Sequence, residues 1–310
     1  MFHRTWHPRT LAILLVALGP PALGAQELAP RAYVITPLRA NAMTLSYSYF
    51  TGDIEFEGAA PITGATGRLH VPLASFYHAL DFFGRSANLA AALGYGDGHF
   101  EGTVGGSDTS AHRTGLTDAV IRFSVNLVGG PAMTLDQMRQ WRQKTLVGAS
   151  LKVVAPTGQN DPTKLINLGA NRWAFKPEIG LSRRWGNWIL DAYGAVWFYT
   201  KNPEFYPGQN VQTQEPIEAV ETHLSYDVRP RFWASLDANF WYGGRTSVNG
   251  VQNPATLQRN SRVGITTSFP LTKTQSLKLA YARGAVIRFG GDFQVFTVAW
   301  QYSWIGGSGR

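Results

Sequence analysis

Apolar and polar residues alternate with a period of two through most of the chain, in long runs broken by Gly, Pro, Asn and Asp. Residues 173–199 show this most clearly. In a first arm Phe175, Ile179 and Leu181 share one face, and Lys176, Glu178, Ser182 and Arg184 share the other. After Gly186-Asn187, Trp188, Leu190, Ala192, Val196 and Phe198 share a face opposite Asn187, Asp191 and Tyr193. Gly and Asn both tolerate positive φ, so the segment reads as a β-hairpin with a two-residue turn. Each arm has about a dozen residues, against roughly 5–6 for an ordinary strand. Trp185 and Trp188 mark one end; Trp197, Phe198 and Tyr199 mark the other. From Trp188 to Phe198, about ten steps of ~3.3 Å at ~40° tilt cover roughly 25 Å, the height of the apolar band on an outer-membrane barrel. A long hairpin in a soluble sandwich fits this segment equally well. The rest of the chain separates the two.

Twelve strands are predicted, at about 40–52, 67–82, 86–96, 115–128, 145–156, 172–185, 188–200, 214–228, 230–243, 258–270, 274–284 and 292–304. The connections after the odd-numbered strands are long and rich in Gly, Pro, Asn and Asp, as at 96–115, 156–171, 202–213 and 243–256. Most of the others are tight: 83–85, 186–187, 229 and 271–273. An even number of long strands with loops sorted by parity is the pattern of an up-and-down barrel with short periplasmic turns and long outer loops. The exception is a short amphipathic helix predicted near 131–143, with Thr134 as N-cap and Leu135, Met138 and Trp141 on one side. It stands where a periplasmic turn is due, as a helix on the barrel rim or in the inner-leaflet interface, or as a cap over the pore mouth.

Single charges fall between apolar neighbours in mid-strand: Arg122, Lys152, Lys278 and Asp237. A lipid-facing Arg or Lys at mid-bilayer costs about 2–4 kcal/mol, so these charges are expected to point inward. By the same parity Arg122, Lys152, Lys176, Glu178, Arg184, Asp191, His223, Asp227, Arg231 and Asp237 are expected to line the lumen, as a pore wall or as a network fixing strand register. Trp185, Trp188, Trp197, Phe198, Trp300 and Trp304 are expected at the membrane interfaces. The last strand has an aromatic-rich face of Phe296, Val298, Trp300, Tyr302 and Trp304, resembling the assembly signal of outer-membrane proteins, although residues 305–310 trail beyond it. The expected fold is therefore all-β, a transmembrane antiparallel up-and-down barrel of about 12 strands.

Residues 1–25 carry a basic start (Arg4, Arg9), an apolar run from Leu11 to Leu18, and small residues at 22–25. The run is too short for the ~20 residues of a membrane helix and reads as a cleaved secretory signal. A single barrel domain is expected over 26–310, exported to the bacterial outer membrane. Without Arg4 and Arg9 the chain has 26 basic against 20 acidic residues. The basic residues are scattered singly, which argues against nucleic acid. There is no Cys, so neither disulfide nor thiolate chemistry is available. Gly at 33 of 310 residues and 13% aromatics suit an all-β chain with many turns.

No catalytic or cofactor motif emerges. His70 and His78 lie too far apart for a two-ligand strand pair, and His99 with Asp97 and Glu101 reads as a solvated loop. Gly-x-Ser-x-Gly, P-loop and dinucleotide fingerprints are absent, so the expectation is no enzyme, no metal and no cofactor.

The segments Leu-Val-Gly-Ala-Ser-Leu-Lys-Val-Val-Ala-Pro-Thr-Gly-Gln-Asn-Asp-Pro, Asn-Arg-Trp-Ala-Phe-Lys-Pro-Glu-Ile-Gly and Gly-Asn-Trp-Ile-Leu-Asp lie within 146–202. With Leu224-Ser-Tyr-Asp, Ser235-Leu-Asp-Ala-Asn and Gly290-Gly-Asp-Phe they resemble the bacterial family of meta-pathway phenol-degradation proteins. The resemblance implies an outer-membrane barrel passing aromatic compounds, and brings no functional residues with it. The expected partners are outer-membrane lipid, the barrel-assembly machinery through the C-terminal strand, and a small apolar or aromatic solute taken up by passive diffusion. The alternatives are a closed-lumen barrel with an enzymatic or structural role, and a secreted soluble β-protein.

Overall fold

The computed structural model describes residues 28–55 and 62–306. The signal segment expected at 1–25 lies outside the described residues, as does 307–310 of the trailing tail. The strands are β1 (Ala40–Glu55), β2 (Ile62–Phe82), β3 (Arg85–Val104), β4 (Ser107–Leu116), β5 (Ala119–Val128), β6 (Thr145–Ala155), β7 (Ala174–Trp185), β8 (Trp188–Tyr199), β9 (Asn202–Phe205), β10 (Asn210–Gln214), β11 (Ile217–Arg229), β12 (Phe232–Gly243), β13 (Thr246–Val248), β14 (Val251–Asn253), β15 (Gln258–Pro270), β16 (Gln275–Val286) and β17 (Gly290–Ile305). One helix, α1 (Leu135–Gln140), lies in the β5–β6 connection.

Twelve of these strands form a closed antiparallel ring, β1-β2-β3-β5-β6-β7-β8-β11-β12-β15-β16-β17, in which every strand pairs with its neighbours in sequence. The ring closes where β1 meets β17, from Ala40 opposite Ile305 to Glu55 opposite Gly290. Closure leaves no free edge within the ring, which is what a strand architecture needs in lipid. All twelve expected strands are present. The turn at Gly186 has positive φ at the glycine alone (58°), as in a turn with Gly in first place.

The alternation has the sense of a membrane barrel. Leu45, Ile121, Leu151, Ile179, Leu190, Leu236 and Val298 face outward and are exposed. Ser124, Lys152, Lys176, Asp191, His223 and Asp237 face inward and are buried. Leaving a Leu or Ile in water forgoes about 1.5–3 kcal/mol each; lipid removes that deficit. A soluble sandwich would place the same residues the other way round.

Three long loops are more ordered than their composition suggests. The loop expected at 96–115 is a β-ribbon: β3 runs on to Val104, turns at Gly105-Gly106, and returns as β4, which pairs β3 only. The loops after β8 and β12 contribute β9, β10, β13 and β14 to a small four-stranded sheet at the same rim. These strands escape the pattern because they are short or largely polar and carry no run of apolar alternation; in the small sheet the buried positions are isolated ones such as Asn202, Phe205 and Gln212. Helix α1 is shorter than expected, one and a half turns started by a capping box between Thr134 and Gln137.

Candidate functional site

The candidate site is the lumen, which falls into three layers. The first, at the short-turn rim, is filled by a segment the strand pattern did not identify. Residues ahead of β1 enter the ring, and Tyr33 and Ile35 are each 1% exposed. Gly148 and Gly180 are cross-strand partners on β6 and β7. The Tyr33 ring lies against both; a Cβ on either would meet it at 2.1 and 2.2 Å. Two inward glycines at one register therefore dent the wall to receive a ring, the use of strand Gly that permits close approach. The Tyr33 hydroxyl donates to Glu178 Oε1 (2.9 Å), and the Arg122 guanidinium stacks over the ring at 5.2 Å. The Arg31 backbone N–H donates to Asp191 Oδ2 (3.1 Å), and its guanidinium pairs with Asp227 (2.7 Å) and lies over Trp233. Ile35 packs with Met133 and Leu146, and against Met138 and Trp141. The Leu38 N–H donates to the Met133 carbonyl (2.8 Å). The α1 connection thus braces the inserted segment at the rim.

This packing makes a direct prediction. In Gly180→Leu the side chain occupies the space of the Tyr33 ring and expels the insert. Trypsin added to the folded, detergent-solubilised variant then cuts after Arg31, while the parent resists; equal resistance of both would contradict this placement.

The second layer is a band of charge. Arg122 on β5 pairs with Lys152 on β6, and Lys152 with Lys176 on β7, so three cations occupy consecutive rungs. Glu178 bridges Lys176 (2.8 Å) and Arg122 (3.3 Å), and Glu221 bonds Lys176 (2.8 Å). His223 Nδ1 lies 2.9 Å from Asp237 Oδ1, while Thr266 donates to Asp237 Oδ2 (2.7 Å). Arg184 pairs with Asp227 nearer the short-turn rim (2.6 Å). A cavity of about 60 Å³ opens among Arg122, Ser150, Lys152, Lys176, Glu178, Tyr193 and Glu221, closed by Ala29 and Ala32 of the insert.

Nine of the ten expected luminal residues lie in this interior. Arg231 does not. It sits exposed in the β11–β12 turn with φ 66° and donates to the carbonyls of Thr272 (2.7 Å) and Gln275 (3.3 Å) of the next short turn. Its parity with Asp237 holds along the strand expected at 230–243, but β12 begins at Phe232, so Arg231 belongs to the turn and strand parity does not reach it. Parity also offered Glu221 and Arg262, both buried in the lumen, which the sequence reading passed over.

The third layer is apolar. Trp197, Trp241, Ala174, Ile217 and Ala219 form a buried cluster, with Val154, Tyr199 and Ile287 against it. Trp197 was expected at a membrane interface, but it is 1% exposed and faces the lumen. It shares the parity of Asp191 and Tyr193, and strand direction overrides its place near a strand end. Trp185, Trp188, Phe198 and Trp304 are exposed on the outer wall, and Trp300 is half-buried there, its indole N–H donating to Gln275 Oε1 (3.1 Å). A second apolar cluster lies under the ribbon: Ile54, Ala65, Phe289 and Phe293, with Phe50 and Phe100 against it. At the long-loop rim Asp118 accepts from the Gly158 and Ala170 N–H groups (2.9 and 2.8 Å), pinning the β6–β7 loop. Burial pushes its carboxyl pKa up, and these bonds oppose the rise.

On the ribbon, His112 Nε2 lies 2.8 Å from Asp97 Oδ1, both exposed. No group of three or more metal-ligating side chains converges among the described residues.

Residues 39–302 match the family described as "Putative MetA-pathway of phenol degradation". No curated protein matches the chain. Among solved structures, an outer membrane channel from Pseudomonas putida F1 superposes with a TM-score of 0.73 at 17% identity, covering 90% of this chain and 100% of that one. The transport unit of the autotransporter AIDA-I from Escherichia coli (TM-score 0.49, 10% identity, 90% and 93% covered) and the KdgM porin (0.45, 8%, 84% and 99%) are less alike.

Proposed function

The chain belongs to the phenol-degradation family that its residues 39–302 match, and from that premise we propose that it is an outer-membrane channel for passive uptake of small apolar or aromatic solutes. The observation that carries this reading is a closed ring with an apolar outer wall and an interior that joins a mid-strand band of charge to a layer of Trp197, Trp241, Tyr199 and Ile217. The aromatic layer lies toward the long-loop end and the charged band behind it, and these inward side chains set the size and polarity preference of a solute that passes. Lipid surrounds the apolar outer wall, and the short-turn rim faces the periplasm. Export uses the segment at 1–25, and β17 with its aromatic face presents the chain to the barrel-assembly machinery. The barrel at 26–310 is a single domain without enzymatic activity.

The insert gives a second reading specific support: with Tyr33 and Ile35 buried in the ring, the lumen is narrow at its periplasmic half, as in a closed structural barrel. Proteoliposomes decide between them. Methyl and phenyl glucosides both cross lipid slowly, so their entry reports the protein. The channel reading expects phenyl glucoside to enter faster despite its larger size. Liposomes that admit neither support the closed barrel.

A further inference from the structure

Inward residues are not equally covered around the ring. On β7, β11 and β12 the inward Ser182, Ser225, Ser235 and Ala219 are at most 5% exposed. On β16, β17 and β1 the inward Ala280, Ala282, Thr297, Ser46 and Ser48 are all partly exposed, and Lys278, nearer the short-turn rim, is exposed. Register fixes their direction. Lys278 and Ser46 stand opposite Ala299, and Ala280 and Ser48 stand opposite Thr297, on the face away from the lipid-facing Phe296 and Val298. The Ser48 and Thr297 hydroxyls are hydrogen-bonded at 2.8 Å. Both sets are small residues backed by the same kind of apolar outer wall, so the difference in exposure arises on the lumen side.

The chain explains the asymmetry. Twelve strands at ~4.8 Å spacing and ~40° tilt close a ring roughly 24 Å across, too wide for Ser, Thr and Ala on one wall to meet the wall opposite. The insert and the large inward residues of β5–β12 fill one side. Tyr33 lies on β6 and β7, Arg31 reaches Asp191 of β8 and Asp227 of β11, and Leu28 lies at β15, where a Cβ on Gly264 would meet its Cδ1 at 2.8 Å. At mid-height β16, β17 and β1 bring only Ser, Thr and Ala to the space that remains. Toward the long-loop rim this wall turns apolar: Phe50 and Val295 stand opposite each other and pack against the cluster of Ile54, Phe289 and Phe293.

We infer that the open passage of this barrel is off-axis, a water-filled groove between the inserted segment and the β16–β17–β1 wall. Phe50 and Val295 bound it at the outer end, and Ser48, Thr297 and Ala280 set its width. The inference deepens the channel reading by placing the solute's route, and it rests on that reading for solute movement alone.

The chain has no Cys, so a single introduced thiol reports its own surroundings. Ser48→Cys, Ala280→Cys and Thr297→Cys are compared in detergent with Ser225→Cys on the packed side and Val298→Cys on the outer wall. The reagent is a charged methanethiosulfonate, which forms a mixed disulfide with an accessible thiolate and releases methanesulfinate. The three groove variants are expected to react at least about tenfold faster than the other two, because thiol reactivity follows exposure to water. Groove variants that react no faster than folded Ser225→Cys overturn the passage. Modification after folding also supplies a block. The labelled Thr297→Cys barrel is expected to admit phenyl glucoside into proteoliposomes severalfold more slowly than before labelling, and the parent, treated alike, to be unchanged. Entry unaffected by that label overturns the route. Fast labelling in a protein that admits neither glucoside keeps the groove and loses the channel.

Discussion

Leu236→Arg is expected to lower the unfolding free energy of the barrel in lipid vesicles by about 2–4 kcal/mol, the cost of a lipid-facing arginine near the bilayer midplane. Leu236 is 64% exposed, on the outer face of β12, opposite Leu224 on one side and Ile265 on the other. Tyr242→Arg, on the same face near the long-loop rim, is expected to cost only ~0–1 kcal/mol, because the penalty falls with distance from the midplane. Urea midpoints of the two variants in vesicles measure both. In water an exposed Leu→Arg change is close to neutral, within about 0.5 kcal/mol. A Leu236→Arg barrel as stable as the parent would therefore mean that this face does not meet lipid.

Deleting residues 29–38 is the second large effect. The ring's hydrogen bonds run strand to strand and do not involve the insert, so the shortened chain is expected to remain a barrel. What it loses is the Tyr33 ring in the Gly148–Gly180 dent, the Ile35 contacts with Met133 and Leu146, and the Arg31–Asp227 pair. Asp227 keeps Arg184 as partner, which limits the penalty of removing Arg31. The expected result is a severalfold larger single-channel conductance in planar bilayers, with intact heat-modifiable migration on gels. Tyr33→Ala is expected to move conductance in the same direction by less, because the backbone still occupies the lumen. Unchanged conductance on deletion would show that the insert does not limit the pore.

The architecture was legible in the sequence because it depends on periodicity, and periodicity is local. Each long ribbon must present one side to lipid and the other to a polar interior, so a period of two, sorted loop lengths and mid-strand charges at Arg122, Lys152 and Asp237 suffice to predict strands, their number and their inward residues. Where the local rule was disturbed, the reading slipped. Arg231 stands one residue ahead of β12, in a turn with positive φ that leaves it on the rim, and Trp197 stands near a strand end although its parity places it inside. What only the tertiary structure decided is what happens within the ring. Residues ahead of β1 have no period and no strand partner, and Gly148 and Gly180 look like two unrelated glycines until β6 and β7 bring them opposite each other against Tyr33. The cationic row and its neighbouring aromatic layer likewise exist only across strands, because their members come from distant parts of the chain and meet by register alone.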